Sequence, residues 1–92
     1  SVATGDAWLR SWVTRLLGGA DYRAGTTAVV IVYDEYTPVP NVFVAPSVVA
    51  GTVVTATVDH YALLRATEEM LGVPVLLGHA ATAPDLRRML GL

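Results

Sequence analysis

The 92-residue sequence contains no cysteine and no lysine. Without Cys there is no disulfide framework and no thiolate for catalysis or metal binding, and redox chemistry says nothing of compartment. Without Lys, six Arg stand against eight acids, for a net charge of -2. Only Arg87 and Arg88 are adjacent. This argues against nucleic acid as a main partner, because a phosphate backbone calls for clustered cations. Long hydrophobic runs are missing too, none nearing the ~20 residues of a membrane span, so no transmembrane segment is expected. No signal peptide is visible. Charge itself is scarce, 15% of residues against 53% hydrophobic. A chain this short has a high surface-to-volume ratio and should be more polar if it stood alone. The balance suits one segment, residues 1–92, belonging to a larger domain whose N-terminal part covers its apolar faces.

What is present reads as alternating helix and strand. Trp8, Leu9, Trp12, Val13, Leu16 and Leu17 recur at helical spacing, which predicts an amphipathic helix over Asp6–Leu17. Thr4 or Asp6 can cap its start, and Gly18-Gly19 ends it. Ala20–Gly25 reads as a polar connection. Thr26–Tyr33 is a continuous, β-branched apolar run without two-residue alternation, as expected of a central parallel strand buried on both faces. A loop over Asp34–Pro40 precedes a short strand at Asn41–Ala45, stopped by Pro46. Ser47–Thr57 reads as loop with a short extended piece. Asp59–Leu71 is a second helix with Asp59 as N-cap and Gly72 as its stop. Val73–Thr82 is irregular, and Ala83–Leu90 a final helix with Pro84 in its first turn. The order helix, strand, strand, helix, helix gives an α/β fold class.

Chemistry concentrates on Asp34-Glu35, which follow the first strand directly. In open α/β sheets ligands gather beyond the carboxyl ends of strands. Two adjacent carboxylates beside a low-dielectric core repel, and a bound divalent cation relieves them. Oxygen ligands suit Ca, Mg or Mn, and with nitrogen ligands Zn or Fe. Against this stands the plain alternative that strand ends often carry acids that only cap the next turn. His60 shares a helical stripe with Leu64, Thr67 and Leu71, which aims its imidazole at the sheet, ready to ligate a metal or donate to an oxyanion. Its alternative is a satisfied, half-buried histidine. Asp59 reads as a cap, His79 as structural, Tyr61 as a wall residue, Trp8 and Trp12 as core, and Glu68-Glu69 as a solvated helix face. Thr37, Ser47 and Thr57 lie in loops, but none sits in a nucleophile elbow. The glycines form no phosphate-cradling loop of the usual spacing.

Three segments, GDAWLRSWVTRLL, TTAVVIVYDE with VPNVFVAPSVVAGT, and VDHYALLRATEEMLGVPVLLGHAATAPDLRRMLGL, together resemble the C-terminal region of the bacterial phosphoesterase family. This family comprises acid phosphatases, phosphatidylinositol-3-phosphatase-like proteins and phospholipase C-type enzymes of the alkaline-phosphatase-like superfamily. The resemblance covers nearly the whole chain. It implies a mixed-sheet sandwich flanked by helices and a divalent-metal-dependent hydrolase acting on a phosphate ester. It places Asp34 and Glu35 on the metal-binding acidic pair and His60 on a further metal or phosphate ligand. The family's Ser or Thr nucleophile has no counterpart here, so the isolated residues should be inactive. Secretion or a cell-envelope location follows by analogy. The loop YTPVP is short where phospholipase-type members carry a Gly-rich extension, which favours a phosphatase. Ala62 replaces a frequent Ser after DHY and removes a hydrogen bond, not a ligand. A non-catalytic α/β binding or scaffold module, and a sulfatase or phosphonate hydrolase, are the rival readings.

Overall fold

The computed structural model describes all 92 residues, with four α-helices and a two-stranded antiparallel sheet. The elements are α1 (Val2–Leu17), α2 (Ala20–Arg23), β1 (Val29–Val32), β2 (Asn41–Val44), α3 (His60–Met70), a 3-10 helix (Gly78–Thr82) and α4 (Leu86–Leu90). This is the α/β class and the expected order, with two short helical turns added. By their contacts the residues fall into two units, Ser1–Ser47 and Val48–Leu92.

In Ser1–Ser47, α1 begins four residues earlier than its hydrophobic pattern. Its N-cap is Ser1, whose hydroxyl accepts from the Thr4 amide at 3.2 Å, so neither Thr4 nor Asp6 caps it. The stop at Gly18 is where the sequence puts it. α2 is a single turn where a polar connection was expected, closed by the Ala24 amide on the Ala20 carbonyl at 2.9 Å.

The strand expectation needs the largest correction. β1 is not a parallel strand covered on both faces. It pairs antiparallel with β2, in the register Val29 to Val44, Val30 to Phe43, Ile31 to Val42 and Val32 to Asn41. A two-stranded hairpin has too few neighbours to cover both faces. Burial therefore fades along β1: Val29 is buried, Val30 and Ile31 are half-buried, and Val32 and Tyr33 are exposed. The β-branched run favours a strand but carries no information on how many partners it finds.

In Val48–Leu92, Asp59 caps α3 as expected, its Oδ1 accepting from the Ala62 amide at 3.1 Å. At the other end the Gly72 amide donates to Glu69 O and the Val73 amide to Glu68 O. This paired closure needs a left-handed residue, and Gly72 supplies it at φ 72°. α4 closes the same way through Gly91 at φ 80°, with the Leu92 amide on Arg87 O at 2.9 Å. Its N-cap is Asp85, so Pro84 lies just outside the helix. Residues 47–57 form a loop with no paired strand.

α3 packs on the 3-10 helix and on α4. The core here is built from small residues, Ala62, Ala66, Ala80 and Ala83, with Leu86 and Leu90 from α4. Ala62 and Ala66 are four apart and so share one face of α3, where the absence of side-chain bulk lets backbones approach.

Candidate functional site

Asp34 and Glu35 lie on the loop joining β1 to β2, both exposed. The loop turns through Tyr36 at φ 73° and a cis Thr37-Pro38 bond, and the side-chain Nδ2 of Asn41, the first residue of β2, donates to Val39 O at 3.1 Å. A left-handed tyrosine is strained, and such strain concentrates at sites where the chain must hold an unusual turn. The two carboxylates thus stand at the wet tip of a hairpin, not at the dry edge of a buried sheet. Water damps their repulsion, so the electrostatic demand for a counter-cation is weaker than a buried strand end would create. Adjacent carboxylates remain suitable hard-oxygen donors for a divalent cation, but two residues fall short of the ~6–8 oxygens such ions take up. No three His, Asp or Glu side chains of the chain converge to hold a metal. By itself the pair does not complete a shell.

His60 belongs to the other unit, as the first residue of α3. Its expected direction is corrected. The stripe of His60, Leu64, Thr67 and Leu71 is exposed along its whole length, Leu71 at 77%. The buried residues of α3 are Ala62 and Ala66, on the opposite face, and Glu68. Large apolar residues marked the wrong side because the helix packs through its smallest ones.

His79 borders a hollow in this unit. Asp59, Tyr61, His79, Thr82, Ala83 and Pro84 line an open hollow of about 320 Å3. The Tyr61 and His79 rings meet edge to face, centroids 4.9 Å apart. Tyr61 is a wall residue as expected. His79, expected as structural, packs against Tyr61; its Gly-flanked sequence context gives no sign that a 3-10 turn brings the two rings together.

The Glu68-Glu69 face is not solvated. Glu68 is 5% exposed; its Oε2 accepts from the Leu77 amide at 3.1 Å, while its buried Oε1 lacks a hydrogen-bond partner. Glu69 is the hub of an ion-pair network. Arg65 Nε donates to its Oε1 at 2.6 Å and Arg87 Nε to its Oε2 at 3.1 Å. Arg65 Nη1 also donates to Ala83 O at 2.6 Å, its Nη2 lies 3.8 Å from Asp85 Oδ2, and Arg87 Nη1 donates to Leu92 O at 2.8 Å. The Arg65 hydrogen bond, followed by that of Arg87, holds the Glu69 carboxyl below its ordinary pKa, against a smaller opposing effect of burial.

Thr37, Ser47 and Thr57 are all exposed loop residues. Trp8 and Trp12 are not core: they are 62% and 43% exposed, and α1 buries no residue fully. No protein-family model, curated protein or solved structure matches the chain.

Proposed function

We propose that these residues form part of a metal-dependent phosphoric ester hydrolase, a phosphatase of phosphomonoesters or phosphoinositides, with Asp34 and Glu35 supplying part of a divalent-cation site. The observation that carries the reading is the placement of two adjacent, exposed carboxylates on the loop directly after β1. The wider fold in this reading is a mixed-sheet, alkaline-phosphatase-like sandwich to which the hairpin contributes. A bound cation there offsets charge on a phosphoryl group and lowers the pKa of an oxygen nucleophile. In this reading Asp34 and Glu35 hold and orient that cation, and His60, at the solvent-facing start of α3 in the other unit, is a separate candidate hydrogen-bond donor. The attacking Ser or Thr and the remaining ligands come from sequence beyond these residues, and an extracytoplasmic location accompanies this reading.

The test is Asp34→Ala and Glu35→Gln in the intact enzyme, assayed for metal content and for hydrolysis of phosphate, sulfate and phosphonate esters. Loss of bound metal with at least a roughly 100-fold fall on phosphate esters is expected. Unchanged metal content and activity in both variants sink the reading. Preference for sulfate or phosphonate esters moves it to another hydrolase. A non-catalytic binding module is the second reading, favoured by the exposed Trp8 and Trp12 on α1; an intact protein inert on every ester would leave that one standing.

A further inference from the structure

The stretch that leads from the first unit to α3 is chemically unlike the rest of the chain. No charged residue and no histidine occurs from Tyr36 to Val58, and from Pro46 to Val58 aromatics, leucine and methionine are missing as well. After Pro46 only Val, Ala, Thr, Ser and Gly remain. The stretch makes one turn, in which the Thr52 amide and hydroxyl both donate to Val49 O, at 3.1 and 2.6 Å, with Gly51 at φ 82°. Beyond that turn, residues 53–58 belong to no helix or strand and exchange no backbone hydrogen bond. Val53 is 78% exposed, and Thr55, Ala56 and Thr57 are exposed too.

A protease cleft asks for this combination. Its substrate binds as an extended strand through main-chain groups, and the side chain before the cut bond enters a pocket. Where those groups are held in helix or ladder bonds, the chain must open first, and cleavage follows the small open population. At residues 53–58 no such bond has to break. The side chains then select the enzyme. Without Arg or Lys there is nothing for an acidic pocket, and without aromatics or Leu nothing for a deep apolar one; Val and Ala suit a small apolar pocket. Other exposed loops compete poorly. The hairpin loop carries Pro38, Pro40 and a left-handed Tyr36, and so cannot lie extended. Residues 72–77 contain Pro74 and are tied back by the Leu77 amide on Glu68 Oε2. The packed pairs, α1 with α2, β1 with β2, and α3 with the 3-10 helix and α4, each lie inside one unit. A cut at residues 53–57 severs none of them.

We propose that this connector is a processing site, cut after Val53 or Ala56 by a protease with a small aliphatic primary pocket, and that the cut leaves both units folded. Water adds across the peptide bond, giving a carboxylate on Val53 or Ala56 and an amine on Val54 or Thr57. This does not depend on the hydrolase reading.

The test is limited proteolysis of the full chain with elastase, trypsin and chymotrypsin at matched activity, read by intact mass and far-ultraviolet circular dichroism. Elastase should first give two fragments divided after Val53 or Ala56, while the other two enzymes leave the connector whole. The nicked sample should keep the helical signal of the intact chain. Val53→Asp combined with Ala56→Asp, both at exposed positions, sets a charge against the apolar pocket and should slow the cut about tenfold or more. An unchanged tryptic pattern shows that the double variant is folded. A first elastase cut in the hairpin loop or at residues 72–77 overturns the proposal. So does digestion that passes through no two-fragment stage, loss of the helical signal on nicking, or a double variant cut as fast as its parent.

Discussion

The two units solve the same problem, a short chain with little charge, in opposite ways. Ser1–Ser47 holds its hairpin through a backbone ladder and leaves its largest apolar residues, Trp8, Trp12, Tyr33 and Tyr36, in solvent. Val48–Leu92 buries small alanines and ties its helices together with charged side chains. Hydrophobic content therefore does not map onto burial. In the first unit both indoles are displayed, and in the second the interior is made mainly of alanines, with Leu86 and Leu90.

The sharpest way to break this contrast is to add volume to the small core. Ala66 is fully buried, so Ala66→Leu should cost about 2–3 kcal/mol through overpacking, read as faster amide exchange across α3 and α4. Arg65→Met keeps an apolar stem but deletes the bonds to Glu69 and Ala83; a loss of about 1–2 kcal/mol is expected by the same readout. Glu68→Ala leaves the Leu77 amide without its acceptor and should cost about 1 kcal/mol, with fast exchange confined at first to the Leu77 amide. Acid tests the network without mutation. The Glu69 pKa is lowered on folding, so its stabilisation is fully present above the ordinary glutamate value. It fades as pH falls below that value and is gone once pH passes the folded pKa; Glu69→Gln should flatten the unfolding profile in that window. At the small end, Trp8→Ala should change stability by less than about 0.5 kcal/mol, because an exposed side chain has little burial to lose. A larger loss would mean that α1 is more deeply packed than its exposure indicates.

The sequence is legible wherever a local rule acts alone. Asp59 and Gly72 bracket α3 because capping and a left-handed stop are decided within a few residues. It misleads where the outcome depends on neighbours. The β-branched run predicts a strand but not its single antiparallel partner. His60 is assigned to the inner face by counting large apolar residues, while the packing surface is Ala62 and Ala66. Glu68 and Glu69 look alike in sequence, yet one turns into the interior and the other to two arginines, and only the 3-10 helix and α4 decide which. For the candidate site, the adjacency of Asp34 and Glu35 is visible at once. Their exposure at a hairpin tip, and the membership of His60 in the other unit, follow from pairing that no local pattern encodes.

The Tyr61–His79 contact has a spectroscopic consequence. With the rings edge to face at 4.9 Å, protons on the edge of one ring fall within the magnetic shielding cone of the other and should resonate upfield of their free positions. Those shifted lines give the second unit an intrinsic marker, present while the 3-10 helix is docked on α3 and lost as the two separate.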